Sequence, residues 1–574
     1  MKPHELLPLY TEDGERLQGT PHDVYPRPTL VRDSFLNLNG EWHFSVTDKE
    51  KRVYDGNILV PFPPEALLSG VHRVFRETAT LTYERQFTIP DGFCQDRIFL
   101  HFGAIDQVAA VSLNGHALGT HVGGYDAFSF DITPYLLEEN TLTVTVTDRL
   151  SEAVLPYGKQ RGKRGGMWYT PTSGIWQTVW LESVPAQYIE SIRIDTTLES
   201  ATVRINGVES GTLILHENGG DTEFPLENGT VTVRPRECRL WSPESPYLYR
   251  FTVRAGKDEV RSYFALRTVS VGKDKNGVSR LCLNGKPYFF HGVLDQGYFS
   301  DGIYTPATLS AYTKDIEAMK SLGFNMLRKH IKVEPPYFYY ECDRLGMAVF
   351  QDMVNNGKYS FLFDTALPTV GIKKLDDRRR HKSERQRNAF LRGMESTVDA
   401  VRNHPSVVYY TVFNEGWGQF CADDVTARLR TLDESRVIDA TSGWFRQNDS
   451  DVDSLHVYFK PVTVTPSERP IVLSEFGGYS YKIKGHSANE KKTYGYRLFT
   501  ERSPFESALT ALYRNEVIPM IEKGLSADVY TQLSDVEDET NGFLTYDRRV
   551  MKVSEEAMKK VAAELFEAFK KATH

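Results

Sequence analysis

The feature that most constrains this 574-residue chain is a change of sequence grammar near Val271. Before it the chain reads as short alternating strands, such as "LTYERQFTI", "QVAAVSLNG", "NTLTVTVTD" and "GIWQTVWLE", joined by Gly, Asn, Asp and Pro turns. Period-two alternation with turn residues and almost no 3.6-residue periodicity predicts β-sandwiches. A break at Ser183–Pro185 divides this half into a longer first sandwich and a second of immunoglobulin size.

After Val271 strand and helix patterns alternate. "PYFFHGV" is followed by the helical "LSAYTKDIEAMKSL", "FNMLR" by "PPYFYYECDRLG", and "MAVFQD" by the amphipathic "ERQRNAFLRGMESTVDAVRNH". The rhythm continues through "SVVYYTVFNE", "VIDATS", "SLHVYF", "IVLSE" and "ADVYTQLSD" to a closing helix, "SEEAMKKVAAELFEAFKKA". Eight strand candidates over about 300 residues predict a (β/α)8 barrel. A doubly wound open sheet is the competing architecture, but no glycine-rich phosphate loop follows the first strand.

Composition removes several function classes. The net charge is −8 and no long basic run exists, so nucleic-acid binding is not expected; "DDRRRHKSERQR" reads as a solvated loop or helix start. No stretch has the length of a membrane span, and the amino terminus lacks the apolar segment of a signal peptide. Cys94, Cys238, Cys282, Cys342 and Cys421 are sparse, odd in number and without metal-ligand spacing, which points to a reducing cytoplasm without disulfides.

In a barrel the carboxyl ends of the strands share one mouth. Those ends are read as Asp295, Arg328, Asp352, Glu415, Ser442, Tyr458, Glu475 and Asp535. A carboxylate closing an apolar strand is costly unless it is paired or used, and two glutamates do so: Glu415 after "VVYYTVFN" and Glu475 after "IVLS", on strands four and seven. An isolated Asn-Glu pair is most simply a satisfied turn. A second strand-end glutamate across the same ring turns the pair toward glycoside hydrolysis, in which one carboxyl is acid and then base, and the other, about 5–5.5 Å away in retaining enzymes, is the nucleophile. Asn414 would then offer its amide to the sugar 2-hydroxyl.

These segments resemble glycoside hydrolase family 2, the family of β-galactosidases, β-glucuronidases and β-mannosidases. "FGAIDQVAAVSLNG" and "GGYDAFSFDIT" are similar to its jelly-roll sugar-binding-like domain, and "LWSPESPYLY" and "FALRTVSV" to its immunoglobulin-like domain. "LNGKPYFFHGV", "LGFNMLRKH", "ECDRLGMAVFQD", "RNHPSVVYYTVFNE" and "IVLSEFGG" are similar to its TIM barrel. The resemblance implies a jelly-roll domain over residues 1–183, an immunoglobulin-like sandwich over 184–272 and a catalytic barrel over 273–574. It also implies Glu415 as acid/base, Glu475 as nucleophile, Tyr458 as the nucleophile's hydrogen-bond donor, and Asn414, His330, Asp352, Asp295 and Gln296 around the terminal sugar. Arg328 is expected to brace the carboxylates.

The departures concern specificity. His330 follows Arg328 by two residues where the family has three, and the usual tryptophan after strand eight is replaced by Thr531 and Gln532. Stacking would then fall to Trp417, Trp444 or Phe476. The Asn-x-Lys of glucuronidases is replaced by Glu539 and Asn541, and Asp538 and Glu539 would repel an anionic sugar. The expectation is a retaining exo-β-glycosidase of β-galactosidase type. A β-galacturonidase or β-glucuronidase is the alternative, with Lys329, Lys332, Arg446 and Lys460 on strand-end loops as carboxylate holders, and a non-catalytic carbohydrate-binding protein is the alternative of another class. No cofactor or metal is implied. The expected partner is a small oligosaccharide or glycoconjugate, and a homo-oligomer is compatible with the resemblance.

Overall fold

The computed structural model describes residues 6–369, 371–372 and 376–573. The alternating half forms two sandwiches. In the first, a six-stranded antiparallel sheet (Lys51–Val60, Gly40–Asp48, Ala79–Phe87, Asn140–Thr147, Val108–Leu113, His116–Val122, in spatial order) faces a four-stranded one built around Val179–Val184 and Arg97–Phe102. Alternation sets the faces: in Asn140–Thr147 Leu142, Val144 and Val146 are fully buried, and they pack with Trp42, Phe44, Tyr83 and Leu100. The second sandwich sets Ser191–Thr196, Ala201–Asn206 and Thr230–Val233 against a four-stranded sheet centred on Gly211–His216 and Tyr249–Ala255.

The second half is an eight-stranded parallel sheet. Its strands are Phe290–Asp295, Met326–Lys329, Ala348–Asp352, Val407–Asn414, Val437–Ser442, Asp453–Val457, Ile471–Phe476 and Leu525–Tyr530. Their spatial order is 5-4-3-2-1-8-7-6, which excludes the doubly wound alternative. Most are buried throughout because barrel strands are covered on both faces, toward the filled interior and toward the helices. The first and eighth strands are hydrogen-bonded; the fifth and sixth touch without a ladder, so the barrel is nearly closed. No helix joins strands five and six among the described residues.

The helical patterns become helices Ser310–Ser321, Pro336–Leu345, Glu384–Val401, Ala422–Leu432, Arg502–Leu512 and Glu555–Thr573. The basic stretch that raised the nucleic-acid question is the start of one of them: the Ser383 hydroxyl accepts from the Gln386 amide and caps Glu384–Val401. No helix is long and apolar enough to cross a membrane among the described residues.

The barrel half meets each sandwich, the first of them at the mouth. The 157–170 loop of the first sandwich reaches over the barrel, with Tyr157 N donating to Asn355 O (3.0 Å) and the Tyr157 hydroxyl to Gly357 O (2.7 Å). Further along, Arg164 bonds Asp538 (3.0 Å) and Thr170 N bonds Glu537 (2.8 Å) in the loop after strand eight. At the other sandwich, Trp241 donates to Asp343 O (2.9 Å), and Asp343 also accepts from Tyr263 (2.7 Å) and faces His404 (2.6 Å).

Candidate active site

The fourth strand ends at Asn414, and the chain turns sharply at Glu415 and Gly416, both in the left-handed region (φ 53° and 73°). A non-glycine residue there is uncommon and is retained where the surroundings hold it. Here Glu415 N donates to Ser442 O at 2.9 Å, fixing the turn to the end of strand five. Glu475 stays within strand seven and is 6% exposed. Carboxylate oxygens of Glu415 and Glu475 and a ring nitrogen of His456 lie within 4.8 Å of one another. The two strand-end glutamates therefore come together at the carboxyl ends of strands four and seven.

Glu475 is heavily partnered. Arg328 Nη1 donates to its Oε1 at 3.2 Å, and Tyr458 donates to its Oε2. Burial alone would raise this carboxyl; the fields of His456, Arg328 and His330 and the Tyr458 hydrogen bond outweigh it and hold it well below the usual carboxylate range. The expected bracing role of Arg328 has this geometry: Nε reaches Asp352 Oδ1 (3.0 Å) and Nη2 reaches Asn414 Oδ1 (2.9 Å).

His330 and Asp352 are paired at 2.7 Å and both buried. Burial lowers His330, and Lys159 adds to this against the Asp352 hydrogen bond. Asp295 is held by Lys329 (2.5 Å) and by Gly297 N (2.8 Å). Gln296 beside it is buried, its Oε1 without a hydrogen-bond partner among the described residues, a polar group suited to a ligand hydroxyl.

Several expectations need correction. Strand eight ends at Tyr530, and Asp535 is ion-paired to Lys552 (2.6 Å). Lys329 and Lys332 are not loop cations available to a ligand: both are buried against Glu334 (2.8 and 2.9 Å), because a lysine this deep needs a carboxylate. Arg446 is committed to Asp453 (2.8 Å). Phe476 is fully buried against Tyr513 and Tyr530. Trp417 is 2% exposed and packs edge-on to Trp168. Trp444 is no such case: it is half-buried beside the two glutamates, donating to Asp364 O (3.1 Å) with its ring edge-on to His456. Asp538 is bonded by Arg164 (3.0 Å) and Asn489 (2.6 Å), and Glu539 by Tyr169 and Asn541 (3.0 Å), so neither is the bare repelling charge that the sequence suggested.

Three contributors escaped the sequence reading. His456 stands two residues before Tyr458, and the strand period of two puts both on the same face. Tyr496 stacks on Tyr458 at 3.8 Å from a segment with no motif. Lys159 comes from the first sandwich, outside the barrel strand ends from which the sequence reading assembled the site.

Family comparison agrees with this architecture. The description "Glycosyl hydrolases family 2, TIM barrel domain" matches residues 275–541, "Glycosyl hydrolase 2 galactose-binding domain-like" matches 71–167, and "Glycosyl hydrolases family 2" matches 185–267. The chain belongs to glycosyl hydrolase family 2. It is 24% identical over 493 residues to a beta-galactosidase of Thermoanaerobacter pseudethanolicus, covering 79% of this chain and 62% of that one. It is 26% identical over 469 residues to the beta-glucuronidase of Felis catus, covering 71% and 67%. Against three curated relatives of the family the chain spans 41%, 62% and 67% of their own lengths. Its fold resembles the beta-D-glucuronidase of Dictyoglomus thermophilum with TM-score 0.72 at 19% identity, over 94% of this chain and 98% of that one.

Proposed function

We propose that this family 2 protein is a retaining exo-β-glycosidase that removes one terminal β-linked sugar through a covalent glycosyl-enzyme. The observation that carries the reading is the approach of Glu415 and Glu475 to within 4.8 Å at the barrel mouth. That separation suits a nucleophile attacking directly, whereas inverting enzymes keep their carboxyls about 6.5–9.5 Å apart to admit a water.

Glu475, ionised and aimed by Arg328 and Tyr458, attacks the anomeric carbon. Glu415 gives its proton to the departing glycosidic oxygen as that bond breaks. Glu415 then takes a proton from water, whose oxygen attacks the same carbon and releases Glu475. Asn414, anchored by Arg328, would meet the 2-hydroxyl, and His330, Asp352, Asp295, Gln296, Trp444 and Glu539 would surround the sugar.

For the sugar itself, a hexuronide is favoured over the β-galactoside that the sequence suggested. The argument for a neutral sugar was repulsion by Asp538 and Glu539, and both are now engaged within the protein. Burial raises Glu539 above the usual carboxylate range, with Lys159 opposing. The Lys159 ammonium makes no hydrogen bond or ion pair among the described residues and lies 5.9 Å from the Trp417 ring centroid. A partly buried cation in that position suits a sugar carboxylate. The β-glucuronidases among the relatives are consistent with this reading.

The same proposal takes residues 183 and 272 as the domain limits, a homo-oligomer as compatible, and the cytoplasm as the location, supported by five free cysteines. Parallel assay of aryl β-glucuronide, β-galacturonide, β-galactoside and β-mannoside tests class and sugar together. Turnover of a uronide with β-anomer as first product is expected. No turnover of any would favour the carbohydrate-binding alternative, and α-anomer would remove the nucleophile role of Glu475.

A further inference from the structure

His456 bridges the two glutamates and has no part in the scheme above. Its ring is buried, with Nδ1 2.7 Å from Glu415 Oε1 and Nε2 3.0 Å from Ser442 Oγ and 3.6 Å from Glu475 Oε1. The seat is shaped for it. Gly443 has φ 92°, and a Cβ at that position would come 2.8 Å from the ring. Trp444 closes one side edge-on at 5.4 Å.

Hydrogen-bond direction fixes where the ring carries hydrogen. Ser474 Oγ donates to the Leu455 carbonyl (3.3 Å), and Ser442 Oγ donates to Ser474 Oγ (2.9 Å). A hydroxyl has one hydrogen to give, so Ser442 can only accept from the ring, and Nε2 is an N–H. The Glu475 carboxylate on the same side favours that assignment. At Nδ1 a carboxylate facing a bare nitrogen would set two lone pairs against each other at 2.7 Å. One proton must therefore lie between His456 and Glu415, on the oxygen or on the nitrogen.

We propose that His456 is the positioning residue of the acid/base, sharing the proton that Glu415 delivers to the leaving group and orienting the carboxyl that delivers it. The proposal rests on the assignment of Glu415 and Glu475 made above. The charged groups facing the ring are Glu415 from the end of strand four and Glu475 from strand seven; strand five presents Ser442 and strand seven also Ser474, both neutral. When Glu415 releases the proton to the glycosidic oxygen, a carboxylate is left against the bare Nδ1. That arrangement is relieved when Glu415 takes a proton from the attacking water. His456 thus shares the proton with Glu415 before the first step and again after the second, with no net change in its own protonation over the cycle.

The test compares matched methyl and 2,4-dinitrophenyl glycosides of the sugar that the wild-type enzyme hydrolyses. A dinitrophenolate departs without a proton, whereas methoxide needs one. His456→Ala should lower kcat/KM on the methyl glycoside by about 10²-fold and on the dinitrophenyl glycoside by less than about threefold. His456→Asn can set its amide oxygen, an acceptor like the bare Nδ1, against the Glu415 carboxyl and should recover at least about tenfold of the methyl-glycoside loss. Equal losses on both substrates, or an Asn variant no better than Ala, would overturn the role of His456. The underlying assignment has its own test: azide should restore turnover to Glu415→Ala and Glu475→Gly with opposite product anomers. Failure there removes the glycosidase scheme whatever His456 does.

Discussion

Arg328 Nη1 stands 3.2 Å from Glu475 Oε1, and the same guanidinium bonds Asp352 and Asn414 through its other two nitrogens. One planar fork thus ties the ends of strands three, four and seven to strand two, with burial of all four groups making the arrangement sensitive to loss of the cation. Arg328→Met would leave two buried carboxylates without their counter-charge, at a cost of about 3–5 kcal/mol. Thermal unfolding should show a large fall in Tm. Arg328→Lys, which cannot form the fork, should fold better yet lose more than about tenfold in kcat; wild-type behaviour of both would contradict the bracing role.

The Tyr458 hydroxyl contacts Glu475 and Thr531 Oγ1 (3.0 Å) while its ring is held by Tyr496. Tyr458→Phe keeps the stack and removes only the donor. Expected is a fall in kcat of about 10²-fold, by analogy with single preorganised donors at other sites, with Tm changed little. A large change in Tm with kcat intact would make the residue structural.

Lys159 separates the two sugar classes. Lys159→Met retains much of the aliphatic stem and removes the charge. If the cation reads a sugar carboxylate, kcat/KM on the uronide should fall about 10- to 100-fold, the worth of a charge-assisted hydrogen bond. Neutral aryl hexosides should be nearly unaffected. Parallel losses on both would show that Lys159 serves the loop and not the sugar.

A pH effect on stability follows from His22, whose Nε2 donates to Pro306 O at 2.8 Å where the amino-terminal segment meets the barrel. Burial, opposed by that hydrogen bond, lowers this histidine to about 4. The folded state therefore holds it neutral down to about pH 4, whereas the unfolded chain protonates it from about 6.5. Between those values the unfolded state binds more protons, so stability falls as pH falls through that window, and above it nothing changes. His22→Gln can keep the donor without titrating. Its Tm should approach or pass that of wild type as pH drops from 7 to 4.5, a relative gain of about 1–3 kcal/mol; parallel Tm curves would refute this.

Much of the site was legible because its residues lie at predictable places on regular elements. Glu415 and Glu475 each end a run of apolar residues, and the eight-strand rhythm brings such ends to one mouth. Asp352 and Arg328 were found in the same way. Asp535 was misplaced because the sequence gives no sign that strand eight stops at Tyr530 and the chain runs on into a loop anchored by Lys552. Lys329 and Lys332 were misread because local sequence cannot distinguish a solvated lysine from one buried against Glu334.

The order of apolar, polar and turn residues along the chain determined two sandwiches, a barrel, and a pair of acids at strand ends, since those patterns record local backbone geometry and burial. Tertiary structure decided which charges remain available. Arg164 pairs with Asp538 from another domain, Tyr169 engages Glu539, the Lys159 ammonium stands by the Trp417 ring without an ion pair among the described residues, and His456 is wedged between the two glutamates. Electrostatic interaction depends on distance through space and on exclusion of water, and neither is encoded by neighbours in sequence.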